Sequence, residues 1–320
     1  MSIDSEEIKV DILMATYNGE RYIREQLDSL LAQSHKNINI IIHDDGSADS
    51  TVSIIKEYEK KYPDKVKLLD DEKRFGNASD NFMYLTGYGS ADYIMFCDQD
   101  DYWDKDKVRV TLDNMLMLES KGGKERPYLV FSAYMATDSD LKPLRNGKSF
   151  LYKLDLNHIL VQNCIAGCMC MINRKLKELA GEPDDAIIMH DWWLALIASS
   201  MGDIYYIDTP LMLYRQHGNN VVGRNNLTSL KSRVKKFKNP YTKKLMFVYE
   251  RQARLLYNRL GGRMPDEKKK ILKSFLDIYD APKMKRPSML RKGNYLKSDF
   301  VRAAGQQWYL MRYDKDILND

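Results

Sequence analysis

Only four cysteines occur in the 320-residue chain, and Cys97, Cys164, Cys168 and Cys170 all lie in apolar surroundings. So sparse a set excludes a disulfide framework and fits reduced, buried thiols. Cys164, Cys168 and Cys170 with His158 have zinc-ligand chemistry, but Cys168 and Cys170 alternate with Met169 and Met171 as strand residues do, which disfavours that site. No 18-residue apolar stretch is present, so no membrane-spanning helix is expected. No charged-then-apolar leader follows Met1, and a cytoplasmic protein is the expectation. Two phosphate cradles are also missing. No G-x-G-x-x-G follows the first apolar run and no G-x-x-x-x-G-K-[ST] occurs, which disfavours dinucleotide and P-loop binding.

Charge is abundant but unevenly placed. The net charge of +5 combines a net of −11 through Gly223 with +16 from Arg224 onward. Body and tail therefore meet different surroundings, the tail a polyanion or an anionic membrane face. The length suits one sizeable domain, residues 1–223, plus a smaller basic appendage, residues 224–320.

Periodicity in the body alternates. Strands are expected at 8–15, 39–43, 66–70 and 92–97, with helices at 21–33, from the turn at 44–51 to about 62, and at 80–87. This βαβα order predicts an α/β fold with a mostly parallel sheet covered on both faces, whose C-terminal edge carries the chemistry. There the apolar run ending in Cys97 delivers Asp98-Gln99-Asp100-Asp101. Carboxylates so close repel unless a positive charge sits among them, and a Mg²⁺ or Mn²⁺ ion bridging to a phosphate meets that need. An acidic turn capping the next helix is the plainer alternative.

Two further loops join this edge. Thr16-Tyr17-Asn18 follows the first strand and can line a nucleotide base, or Asn18 simply caps a helix. After the second strand, Asp44 can accept from a pyrimidine N3–H, while Asp45 or Ser47 caps the helix beyond.

In order, the segments ATYNG, HDDGSADST, FCDQDD, NCIAGCMCMINR, MHDWW and YRQHGNN resemble those of inverting family 2 glycosyltransferases with the GT-A fold. Within that family the chain is most similar to bacterial rhamnosyltransferases of cell-wall and capsular polysaccharide synthesis. The likeness spans about residues 8–223. It implies a base contact at Asp44, a ribose contact at Asp98, a metal ligand at Asp100 and a second carboxylate at Asp101 on the sugar side. It implies a general base at Asp191, where His190 replaces the commoner Glu; capping of a helix over 192–201 is the plainer reading. Asn163, Ala166 and Gly167 fall where the family approaches the donor sugar; Gly167 either permits close backbone approach or shapes a bulge. One of Trp192 and Trp193 stacks on a sugar while the other faces the core, since adjacent helical positions point about 100° apart. His217 completes the metal shell, Arg215 contacts phosphate oxygens, and Gly218 and Gly223 suit a closing loop.

The activity so implied moves a sugar, by likeness L-rhamnose, from a dTDP- or UDP-sugar to a growing glycan or a polyprenyl-diphosphate-linked acceptor. A catalytically silent nucleotide-sugar binder needs no second acid site. A nucleotidyltransferase needs a Gly-rich, basic loop after strand one, which residues 15–20 lack. In the tail, helices are expected over 227–237, 243–260, 266–279 and 295–311. The basic run Lys231, Arg233, Lys235, Lys236, Lys238, Lys243 and Lys244 fits an anionic membrane better than nucleic acid, for which no motif is present. A solvated face or a homodimer contact are the alternatives.

Overall fold

A computed structural model describes residues 5–217 and 240–314. The helix expected over 227–237, the basic residues Lys231 to Lys238, and the proposed hinge glycines Gly218 and Gly223 lie outside the described residues.

The amino-terminal half alternates as its periodicity predicts. In order come β1 (Val10–Thr16), α1 (Ile23–Leu31), β2 (Ile38–Asp44), α2 (Thr51–Lys61), β3 (Val66–Leu68), α3 (Ala78–Thr86) and β4 (Tyr93–Asp98). Strand β1 pairs in parallel with β2 and β4, and β2 with β3. The continuous apolar runs of β1, β2 and β4 follow from burial on both faces of a parallel sheet. Helix α1 covers it with Ile23, Leu27 and Leu30, which share one helical face and are fully buried. Asn77 caps α3 by accepting from the Asp80 N–H.

Beyond β4 the order becomes mixed. The elements are β5 (Tyr102–Trp103), α4 (Lys107–Gly122), β6 (Tyr128–Thr137), β7 (Pro143–Lys148), α5 (Leu156–Ile159), β8 (Cys170–Asn173), α6 (Arg174–Ala180), α7 (His190–Met201) and β9 (Asp203–Arg215). Strand β8 runs antiparallel to both β4 and β6, while β9 is parallel to β6, giving the order β3-β2-β1-β4-β8-β6-β9-β5 with β7 beside β6. The return of β9 to β5 matters for function, because it lays the end of one strand, Arg215, against the loop after β4.

The carboxy-terminal helices are α8 (Pro240–Leu260), α9 (Asp266–Asp280), α10 (Arg286–Lys292) and α11 (Phe300–Arg312). They share the body's core: Tyr249 packs edge-on to Trp192 at 5.0 Å, and Leu256, Leu272 and Leu290 are fully buried. Polar ties reinforce the seam, with Ile188 N donating to Gln252 Oε1 at 2.9 Å and Ser298 N to Gln162 Oε1 at 3.1 Å. Helix α10 was not expected, and the helix anticipated over 295–311 begins later, at Phe300, because Asp299 caps it by accepting from Arg302 N.

One buried cation staples this region. Arg286 is 4% exposed and donates to the carbonyl oxygens of Tyr279, Ala281, Leu310 and Tyr313 and to Asp314 Oδ1. Removing it takes a charged donor from four carbonyl oxygens and from Asp314. Arg286→Met should therefore cost about 3 kcal/mol, read as a lower urea midpoint at unchanged slope. A loss below about 0.5 kcal/mol would contradict this account.

Candidate active site

Register alone brings the first candidates together. Pairing of Thr16 with Asp44 and of Ala15 with Asp98 aligns the last residues of β1, β2 and β4 at one edge. Asp44 is buried and accepts from Thr16 Oγ1 at 2.8 Å, Ser47 Oγ at 2.6 Å, Gly46 N at 3.1 Å and Ser47 N at 2.8 Å. Those four donors fill the acceptor sites of a carboxylate, so a base N–H reaches Asp44 only by displacing a hydroxyl, and hydroxyls rotate.

The loop after β1 is tied on two sides. Asn18, with φ of 48°, donates its N–H to Ser47 Oγ and accepts from Ala48 N through its side chain; this interlocks the two loops and is no helix cap. Tyr17, 58% exposed, is clasped through its backbone by Gln99, which donates to Tyr17 O and accepts from Tyr17 N. A Cβ at Gly19 would lie 2.2 Å from Gln99 Oε1, so glycine is required for that clasp.

Three aspartates occupy the end of β4 and its loop. Burial first, then Asp100, raise the Asp98 carboxyl to about 7; the same two causes hold Asp101 well above the usual range. Asp101 Oδ1 accepts from Arg215 N at 3.1 Å, while Oδ2 is buried without a partner among the described residues. Beneath them lies Lys107, fully buried, its ammonium 3.7 Å from the Trp103 ring centroid and bonded to Cys168 O. Burial lowers its pKa, opposed in part by electrostatic interaction with its neighbours Cys168, Cys97 and Asp101. Beside the cluster, His217 Nε2 lies 2.7 Å from Asp100 Oδ2 and its ring stacks on Tyr22 at 5.0 Å.

A fourth carboxylate stands apart. Asp191 lies in the first turn of α7, after the cap Met189, and is buried. Its Oδ1 accepts from Asn163 Nδ2 at 2.9 Å and Trp192 N at 2.6 Å, and its Oδ2 from Gly167 N at 3.0 Å. Burial raises its pKa to about 6 even though those three donors pull it down. Its charge in turn contributes to raising Asp98, so the two acids sense each other. His190 packs on Phe82 and Phe96, and burial depresses its pKa to about 3, leaving a neutral ring. A Cβ at Gly167 would lie 2.3 Å from His190 Nε2, so Gly167 serves close approach.

Residues 11–177 match the model for glycosyl transferase family 2. The chain belongs to that family. Over 239 residues it is 35% identical to the dTDP-rhamnosyl transferase RfbG of Shigella flexneri, covering 70% of this chain and 77% of that protein. The TarS 1-349 chain of S. aureus in complex with UDP-GlcNAc has a TM-score of 0.52 at 15% identity, covering 98% of this chain and 92% of that one. The mannosyltransferase PcManGT from Pyrobaculum calidifontis, in complex with GDP-Man and Mn²⁺, has a TM-score of 0.53 at 15% identity, covering 96% of this chain and 86% of that one. At such identities these structures speak to the fold alone, and the fold is GT-A, as expected. The protein is a glycosyltransferase similar to a rhamnosyltransferase.

Several expectations for this glycosyltransferase require correction. Arg215 is 2% exposed, and its guanidinium donates to Asp100 O, Ser139 O and Glu25 and lies over Tyr22; it braces the acidic loop and is not available to phosphate. Neither Trp192 nor Trp193 is a sugar platform, because both indoles are buried and donate to Ile159 O and Ala180 O. Asp101 is likewise fully buried, which sets it under the loop and away from a sugar.

The donor set fits a divalent cation. Asp98, Asp101 and Cys168 offer ligand atoms within 4.8 Å of one another. Burial first keeps the Cys168 thiol protonated, so the available donors are carboxylate oxygens with the His217 imidazole nearby, a set suited to Mn²⁺ or Mg²⁺. Sequence reasoning missed Gln99, Lys107 and Tyr22. Gln99 carried a signal, sitting within the acidic motif; Lys107, a lysine at a helix start, carried none.

Lys107→Met removes the counter-charge near Asp98 and Asp101, whose raised pKa values already disfavour the folded state above the ordinary carboxylate range. The deficit should therefore grow with pH, about 3 kcal/mol at pH 8 and less at pH 5. Thermal melts at both values check it; an equal loss at each would detach Lys107 from the acidic cluster.

Proposed function

We propose that the chain is an inverting, metal-dependent glycosyltransferase that moves L-rhamnose from dTDP-L-rhamnose to a hydroxyl of a growing, lipid-linked cell-surface polysaccharide. The observation that carries this reading is the division of carboxylates: a cluster at Asp98, Asp100 and Asp101, and a single acid, Asp191, held by three donors and shifted to about 6. A carboxylate with that pKa is ionised at neutral pH yet more basic than an ordinary aspartate, as a general base for an alcohol needs.

Asp191 accepts the proton of the acceptor hydroxyl as the oxygen bonds to the anomeric carbon. The bond from that carbon to the diphosphate oxygen breaks on the opposite face, the nucleoside diphosphate leaves, and the anomeric configuration inverts. Asn163 and Gly167 N–H hold the carboxylate in place. Asp100 and His217, with Asp98 close by, would hold Mn²⁺ or Mg²⁺, which when bound neutralises the diphosphate and its developing charge. Thr16, Tyr17, Asn18 and Asp44 form the nucleoside side, where the exposed Tyr17 ring is available to a base. The relative with 35% identity supports the rhamnosyl donor. The segment from Arg224 to Lys244, with eight basic residues and no acidic one, is assigned to an anionic inner membrane face beside the acceptor lipid.

With donor and metal saturating, kcat should fall about tenfold per unit as pH drops through about 6, because protonated Asp191 cannot accept. Asp191→Asn should lower kcat about a thousandfold with donor affinity retained, whereas Asp100→Asn should weaken Mn²⁺-dependent nucleotide binding about tenfold or more. Native turnover by Asp191→Asn would remove the base assignment. In a separate test, thermal stabilisation by dTDP, UDP and GDP with and without Mn²⁺ should be greatest for dTDP with the ion. Stabilisation by GDP and none by dTDP would refute the donor.

A further inference from the structure

Helix α11 carries apolar side chains on two opposite faces. The inward face is ordinary core, with Ala303, Gln306 and Leu310 buried against α8 and α10. The outward face is the unusual one. Phe300 is 86% exposed, Trp308 40% and Met311 37%, and with the exposed Ala304 they are spaced by four, four and three residues. That spacing puts them on one stripe, within about 80° of arc on a helical wheel. Met284, 78% exposed, stands on the short 3-10 turn Lys283–Lys285, which packs against α11. A surface helix needs no such stripe for its own stability, since its hydrophobic requirement is met on the inward face.

The charges around the stripe select a partner. Arg312 borders it, with its guanidinium 5.5 Å from the Trp308 ring centroid, and Lys285 and Lys292 are exposed on the 3-10 turn and on α10, both of which pack against α11. Among the described residues nearby, Asp314 pairs with Lys283 and Arg286, and Asp299 caps α11 by accepting from Arg302 N. An apolar stripe with an interfacial tryptophan and a cationic border is complementary to a bilayer that presents acyl chains beneath anionic headgroups. We propose that the outward face of α11, centred on Phe300, Trp308 and Met311, docks the protein on an anionic membrane surface by inserting those side chains among the headgroups. The inference deepens the membrane clause of the function above and is independent of the transfer chemistry.

Trp308 makes the test specific, because the other three tryptophans, Trp103, Trp192 and Trp193, are buried. Full-length protein is mixed with phosphatidylcholine vesicles, with and without roughly one-third phosphatidylglycerol, some carrying brominated acyl chains. The expected result is a blue-shifted emission quenched by the bromolipid, seen with phosphatidylglycerol and absent in Trp308→Phe. Phe300→Ser combined with Met311→Gln should weaken vesicle binding about tenfold or more, with an unchanged melting temperature and unchanged transfer to a water-soluble acceptor. Binding of the wild type to phosphatidylglycerol vesicles without quenching, and equally by the double variant, overturns the α11 assignment while leaving the basic segment as the membrane contact. No vesicle binding by the wild type overturns both membrane assignments and leaves the Asp191 chemistry to its own test. A dimer in light scattering that dissociates in the double variant overturns the proposal in favour of a second copy on this face.

Discussion

Three aspartates within four residues repel one another, and their placement at the end of a buried strand, with Asp101 fully buried and Asp98 and Asp100 partly so, limits the water that would screen that repulsion. The surroundings are organised to tolerate it. Lys107 comes up from α4 beneath the cluster, Arg215 reaches back from β9 to hold Asp101 and the Asp100 carbonyl, and His217 closes against Asp100. Two segments distant in sequence, the loop running from β4 into α4 and the end of β9, thus meet at one edge around this negative charge. The protonation shifts at Asp98 and Asp101 measure what remains uncompensated, and a divalent cation is the natural complement.

Much of the edge was readable beforehand because parallel sheets place loops where apolar runs end. The strands ending at Thr16, Asp44 and Asp98 are continuous apolar segments followed by polar turns, and register then aligns their last residues. Where reading failed, the side chain's direction decided. Arg215 and the Trp192-Trp193 pair were read by chemical type, as a phosphate ligand and a sugar platform. Type does not say that Arg215 points under a loop between Glu25 and Ser139, or that both indoles find carbonyl partners in the core. Lys107 was invisible for the converse reason. A lysine at a helix start is ordinarily solvated, and only the fold turns it inward.

The tail shows a similar gap between composition and structure. Its positive charge suggested an appendage distinct from the acidic body, yet α8 to α11 bury Tyr249, Leu256 and Leu272 in a core continuous with the sheet's helices. Charge governs what the outer surface meets; the apolar spacing of Tyr249, Ala253, Leu256 and Leu260 governs what the inner surface covers.

Gln162 and Asn163 are neighbours in the chain, and they face in different directions: the first receives the Ser298 N–H from the segment before α11, the second grips Asp191. One peptide unit thereby ties the segment before α11 to the amide that holds Asp191, so the packing of the carboxy-terminal helices and the setting of that carboxylate share a single stretch of backbone.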